Sequence, residues 1–441
     1  MPRVDAICFL GLKNFDCSSA LEKLQENKWL YLVSDADPAL PSKLLQHPRV
    51  RYFEIETPWQ MKQIAKEIAW GAVMQSLDIR NEEGWEELKD NIEECHHAAH
   101  LLLSEVADFG VKAFSNARIN WKSGSFRHWS ILKDRFRNVP AIVCGAGPSL
   151  QDARPYLANV QSRALVLAAG TAAPILGDWG IEPHLALGLD KETPVESMRR
   201  QPFAELTMIM QSRFNPDCVS LLHGEKVIAP ESGPLPWERW WLSETESPSF
   251  GWTVGNFATL VAIWMGCNPI IWTGMDFCYP DGQKYASSSS AIEADHRITQ
   301  RDFLLAARFS EEVAQAHPHI RFLQTSKHGL PLKEPIETRP FTMALRLLKN
   351  EFDLSGRLHQ SLQSAAGMNL EMESKEKDWN ESLRRCLSNP AADLSDEIVY
   401  EYYLEPLWQI WRPVFIREAQ GQNIDWHRAL FFQKVLQDID L

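Results

Sequence analysis

The chain has 441 residues, 45% hydrophobic and 23% charged, a composition that excludes long intrinsic disorder and exceeds what one hydrophobic core serves, so about two to four domains are expected. A formal net charge of −13 argues against non-specific nucleic-acid binding, since no basic face is advertised and an anionic substrate has to be held locally. Eight cysteines without a CxxC pair fit a reducing compartment.

From the N-terminus, apolar runs at 4–10, 29–33 and 50–55 read as short buried strands around a helical stretch at 18–25, a small αβ unit. Apolar residues at three- and four-residue spacing predict two long helices, over 57–77 and 84–116, leading to a basic linker at 121–138. Short apolar runs then alternate with helical segments, at 141–144, 164–168, 185–189, 207–210, 227–229, 270–272 and 320–323. Repeated strand-then-helix order predicts an α/β fold with an open, mostly parallel, Rossmann-like sheet. Beyond Arg339 the pattern turns helical, with an aromatic-rich stretch at 397–416 and a last helix at 426–439. The expected division is an N-terminal αβ and helical accessory domain at 1–137, a central α/β domain at 138–335 and a helical C-terminal domain at 336–441.

The longest apolar stretch, 257–272, contains Gly266, Asn268 and Pro269 and falls short of the ~20 uninterrupted residues a membrane helix needs. The N-terminus lacks the cleavage pattern of a signal peptide, so a cytoplasmic protein without a membrane span is expected. The 17 tryptophans, dense at 237–241 and toward the C-terminus, are expected in cores and interfaces.

The residues Ala141-Ile-Val-Cys144 followed by Gly145-Ala-Gly-Pro-Ser-Leu150 form a buried strand, a glycine turn and a helix start with Pro148 at its first position. Gly145 and Gly147 allow close backbone approach, and the helix N-terminus offers unpaired N–H groups, an anion site in outline with a plain tight turn as its alternative. It is neither the dinucleotide fingerprint, lacking the third glycine, nor a Walker loop, lacking the lysine. Farther on, Thr253-Val-Gly-Asn256 opens a long apolar helix, and the strand at 269–273 ends in Gly274-Met-Asp-Phe277. Asp190 closes the run at 185–189 in the same way. All of these fall at the carboxyl edge of the predicted sheet, where open α/β folds bind ligands. Taken one by one, Thr253 reads as an N-cap and Asp190 and Asp276 as turn caps. Cys95, His96, His97 and His100 sit on one helical pattern, but no third remote ligand accompanies His96 and His100, so a solvated helix face is expected rather than a metal site.

These blocks together resemble the MptE-like domain, shared by archaeal 6-hydroxymethylpterin diphosphokinases and the Maf motility accessory factors, which are regarded as glycosyltransferases placing nonulosonic acids on flagellin Ser and Thr. They are also similar to the bacterial sialyltransferases. The resemblance implies a nucleotide-binding central domain, with Gly145, Gly147, Pro148, Ser149, Thr171, Asp190, Thr253, Gly255, Asn256 and Asp276 as its nucleotide-binding residues. In the sialyltransferases, tyrosines and a catalytic histidine follow the Gly-x-Asp-Phe end. By that likeness Tyr279 and Tyr285 would bind the leaving phosphate and His296 would be the general base, a role suited to a group titrating near neutrality. His328, in the segment 324–329, is the runner-up base. The sequence departs from that pattern in an extra residue, Cys278, before the first tyrosine.

The function implied is transfer of a sugar, carried by a nucleotide and of the CMP-activated nonulosonic acid kind, to a hydroxyl of a protein or small molecule. No cofactor and no metal are required, and the helix dipole behind Gly147 would stabilise the departing phosphate. The rival activity is pyrophosphoryl transfer from ATP to a pterin alcohol, with Asp190, Glu192 and Asp276 holding Mg²⁺. A non-catalytic nucleotide-binding interaction protein is the third class.

Overall fold

The computed structural model describes residues 5–36, 40–123, 126–199, 205–230, 233–243, 249–279, 291–294, 297–363, 369–389, 393–419 and 423–439. The chain forms two compact units, Met1–Gly110 with Leu383–Leu441, and Val111–Ser382. This differs from three consecutive domains in two respects: the helices after residue 383 share a unit with the N-terminal sheet, and the central unit begins before 138 and ends after 335.

In the first unit, strands β1 (Ala6–Leu10), β2 (Trp29–Ser34), β3 (Val50–Glu54) and β4 (Leu77–Asn81) form a parallel sheet in the order β3-β2-β1-β4. Alternate side chains enter two cores. Ile7, Leu30 and Leu32 meet Ala20, Leu24 and Leu44 on one face, while Cys8, Leu10, Tyr31 and Val33 meet Ile64, Ile68, Leu88 and Ile92 on the other. Burial on both faces explains why these strands read as continuous apolar runs. The stretch predicted as one helix over 57–77 stops at Gly71, and Leu77–Asn81 is instead the fourth strand. Its sequence, Leu-Asp-Ile-Arg-Asn, has too few apolar residues to announce an edge strand. The long helix predicted over 84–116 is likewise two, Glu86–Glu105 and Val111–Ser123, separated by Phe109 and Gly110 with positive φ. The C-terminal helices belong here because Tyr403 donates to the Phe109 carbonyl at 2.8 Å and Arg417 to the Gly71 carbonyl at 2.8 Å.

The second unit is built on a nine-stranded parallel sheet. Its strands are β5 (Arg127–His128), β6 (Ala141–Cys144), β7 (Leu165–Ala169), β8 (Leu185–Gly188), β9 (Met208–Met210), β10 (Lys226–Ile228), β11 (Ile270–Thr273), β14 (Phe322–Gln324) and β15 (Glu337–Thr338). Between β11 and β14, β12 (Ala291–Ala294) and β13 (Arg297–Gln300) form a separate antiparallel pair. The order in the large sheet is β15-β14-β11-β6-β7-β8-β9-β10-β5. From β6 the strands are laid down in one direction as far as β10; the chain then crosses back to place β11 on the other side of β6. The order therefore reverses between β6 and β11, the topological switch point at which open α/β sheets bind ligands.

The segment expected as a basic linker at 121–138 is part of this unit. It supplies the edge strand β5 and the buried residues Trp129, Leu132 and Phe136, with Trp129 stacked on Trp264 at 4.3 Å. The preceding helix Val111–Ser123 is tied down by Asn120, whose Nδ2 donates to the carbonyls of Ser212 and Phe214 at 2.7 Å each. Tryptophans 121, 237, 240, 241 and 379 pack with Phe114 into one aromatic cluster, as their expected role in cores implies.

Candidate functional site at the carboxyl edge of the sheet

At the switch point the ends of β6 and β11 are fastened to one another. The amide of Gly145 donates to the Thr273 carbonyl at 2.8 Å and that of Gly147 to the Gly274 carbonyl at 2.8 Å. The Gly274 amide donates to Ser149 Oγ at 3.0 Å, and the Ser149 amide donates to Asp276 Oδ2 at 3.0 Å. The glycines make this approach possible. A Cβ on Gly145 would lie 2.4 Å from the Gly274 oxygen, and one on Gly147 would lie 2.4 Å from Asp276 Oδ2. The close backbone approach expected of Gly145 and Gly147 thus serves the facing strand end. The helix starts at Leu150, two residues after Pro148.

Asp276 is 3% exposed, and its Oδ1 has no hydrogen-bond partner among the described residues. A buried carboxylate oxygen without a partner is costly, which marks the position as functional or strained. The next residue, Phe277, has φ 52°, a conformation a bulky side chain adopts only under constraint. The Thr299 hydroxyl, donating to the Phe277 carbonyl at 2.6 Å, holds it.

A cavity of about 580 Å³ opens beside this junction. Of the sequence-predicted residues, Gly145, Gly147, Pro148, Thr171, Asp190, Thr253, Gly255, Asp276 and Tyr279 line it. Ser149 and Asn256 do not. Ser149 spends its hydroxyl on the Gly274 amide, and Asn256, 1% exposed, is a tie between helices. Its Oδ1 accepts from the Trp252 amide at 3.2 Å and the Thr253 hydroxyl at 3.1 Å, while Nδ2 donates to the Ala306 carbonyl and Ser310 Oγ on Arg301–Ala316. Thr253 caps the helix Val254–Trp264 by accepting from the Asn256 amide, and also faces the cavity. Asp190 lies exposed at the rim, where its Oδ1 accepts from the Glu192 amide at 2.8 Å. Tyr279 is buried against Phe303 and donates to Gln300 Oε1 at 2.9 Å.

Sequence reasoning missed the apolar wall, formed by Leu187, Met208, Phe214 and Leu222 with Met275 and Phe303. Core and wall residues carry the same composition, so no sequence signal separates them. Gly188 shapes this wall: a Cβ there would strike Met208 Cε at 2.4 Å and Phe214 at 2.6 Å.

Tyr285 and His296 lie outside the described residues. His328 is exposed and does not line the cavity, although its carbonyl accepts from the Cys278 thiol. Among the described residues no group of three or more His, Cys, Asp or Glu side chains could hold a metal ion, so Asp190, Glu192 and Asp276 form no such set. His96 and His100 are not a solvated face. His96 Nε2 lies 3.1 Å from the Ala72 carbonyl, and His100 Nε2 lies 3.3 Å from His96 and accepts from the Met74 amide, fastening Glu86–Glu105 to the end of Gln60–Gly71. Burial pushes the His100 imidazole below its usual range. Among the described residues, no helix is long and apolar enough to cross a membrane.

No curated protein matches the chain in sequence. The solved structure of a Maf glycosyltransferase from Magnetospirillum magneticum AMB-1 is similar in fold, with a TM-score of 0.54 at 16% identity, covering 99% of this chain and 78% of that one. The family model described as 6-hydroxymethylpterin diphosphokinase MptE-like matches residues 115–282, which hold β6 to β11 and both halves of the fastened junction, so this segment of the chain is similar to that family.

Proposed function

We propose that this chain is a glycosyltransferase that takes a nucleotide-activated sugar, of the CMP-nonulosonic acid kind, and transfers the sugar to a hydroxyl of an acceptor, a Ser or Thr of a protein. The observation that carries this is the cavity at the switch point of an MptE-like domain, lined by the ends of β6, β8 and β11 and the start of Val254–Trp264. Likeness in fold across 99% of the chain to a protein named a Maf glycosyltransferase supports the assignment. In this mechanism the acceptor oxygen attacks the anomeric carbon while a base, His296, takes its proton. The bond from that carbon to the phosphate oxygen breaks, and the nucleoside monophosphate leaves with the electron pair. Tyr285 donates a hydrogen bond to that phosphate, and Tyr279 does so on giving up its bond to Gln300. The reaction uses no metal and no organic cofactor, and takes place in the cytoplasm.

Pyrophosphoryl transfer from ATP to a pterin alcohol is the second reading, because the matching family model carries that description. It needs a divalent ion on the transferred phosphate; Asp190 and Asp276 line the cavity, but among the described residues no group of three or more His, Cys, Asp or Glu is gathered to hold one. A thermal-shift panel of CMP, CDP, UDP, GDP and ATP, with and without Mg²⁺, followed by a transfer assay in EDTA, separates the two. Stabilisation by CMP and transfer that survives chelation are expected; ATP consumption that EDTA abolishes would overturn the proposal.

A further inference from the structure

The turn 145–149 was expected to bind phosphate, yet the position an anion would take at its amides holds a carboxylate of the chain itself. Asp276 Oδ2 accepts from the Ser149 amide at 3.0 Å and lies 2.4 Å from where a Cβ on Gly147 would be. The amides of Gly145, Gly147 and Leu150 are already given to the carbonyls of Thr273, Gly274 and Gly147. A phosphate brought here would meet a like charge and find the amides of Gly145, Gly147, Ser149 and Leu150 taken. The rest of the cavity points the same way. None of its described lining residues is Lys, Arg or His, whereas Asp190 and Asp276 are both carboxylates. The remaining polar lining is hydroxyl and backbone, beside the apolar wall of Leu187, Met208, Phe214 and Leu222.

An apolar wall facing a carboxylate suits a flat ring joined to a polyol, and the cavity's volume is that of a small-molecule site. Asp276 Oδ1, buried and without a partner among the described residues, is the acceptor such a polyol would satisfy. We infer that this cavity binds the uncharged nucleoside portion of the ligand, with Asp276 accepting a ribose hydroxyl and the base against the apolar wall, and that the phosphate lies away from the turn 145–149. This rests on the proposed use of a nucleotide-linked substrate and assigns which part of it the cavity recognises.

The test is calorimetric titration of the full chain with cytidine, uridine, adenosine and guanosine, the matching 5′-monophosphates and 2′-deoxynucleosides, and inorganic phosphate. One nucleoside is expected to bind within about tenfold of its monophosphate, and phosphate alone not to bind. Its 2′-deoxy form is expected to bind at least about tenfold more weakly, the loss of one hydrogen bond to a charged group. Asp276→Asn, which keeps an acceptor for the Ser149 amide, should weaken the nucleoside by a similar factor and the 2′-deoxynucleoside hardly at all. The deoxynucleoside gives the same answer on the unaltered protein should that variant fold poorly. The inference is overturned by itself if a monophosphate binds while its nucleoside does not, or if Asp276→Asn tightens the monophosphate. If neither nucleosides nor nucleotides bind, the proposed function falls and takes the inference with it.

Discussion

Gly145 and Gly274 face one another so closely that a Cβ on Gly274 would lie 2.2 Å from the Gly145 oxygen, and one on Gly145 would lie 2.4 Å from the Gly274 oxygen. Gly274 also has φ +67°, which an L side chain rarely adopts. Gly274→Ala therefore combines a strained backbone with overpacking against main chain, which cannot step aside as a side chain can. A loss of at least about 2 kcal/mol is expected, read as a fall in the urea midpoint. Gly233→Ala, in open space, should stay within about 0.5 kcal/mol.

Asn256 separates structural from ligand-binding residues. Asn256→Ala removes the tie to Ala306 and Ser310 and strands buried polar groups, at a cost of about 2 kcal/mol. The melting temperature should fall, while nucleotide-induced stabilisation of the remaining folded protein is kept. Loss of the ligand shift at unchanged intrinsic stability would return Asn256 to the binding set.

His296 and His328 divide the question of the base. His296→Ala should lower turnover by about a hundred- to ten-thousand-fold with nucleotide affinity nearly intact, since the base acts on the acceptor. His328, exposed and off the cavity wall, should tolerate alanine. The reverse pattern in a transfer assay would assign the base to the segment 324–329.

His184 lies near the other edge of the sheet and sets an acid limit on stability. Burial pushes its imidazole down to about 4 from an ordinary 6.5, and its Nδ1 accepts from the Val166 amide at 3.0 Å, a bond only the neutral ring can make. The folded value lies below the unfolded one, so its contribution is whole above pH 6.5. It is lost as pH falls from there to about 4, on the order of 3 kcal/mol in total. Chemical denaturation across that range should show the slope, and His184→Asn, which keeps an acceptor for Val166, should flatten it.

The sequence by itself determined seven of the nine strands of the central sheet and their order along the chain, because strands buried on both faces must be apolar throughout and the turns between them carry their own residues. It also determined that Gly145, Asp190, Thr253 and Asp276 fall at one edge, since parallel strands all end on the same side. Three things were decided only by tertiary structure. Short edge strands such as Arg127–His128 and Leu77–Asn81 have no pattern of their own and exist because a neighbour offers them hydrogen bonds. The pairing of residues 383–441 with the N-terminal sheet depends on side-chain to backbone bonds, such as Arg417 to Gly71, that leave no periodicity. The meaning of the glycine turn was decided the same way. Local sequence sees two glycines before a helix, but not that the carbonyl of Gly274 and the carboxylate of Asp276, from a strand more than a hundred residues away, pack against them.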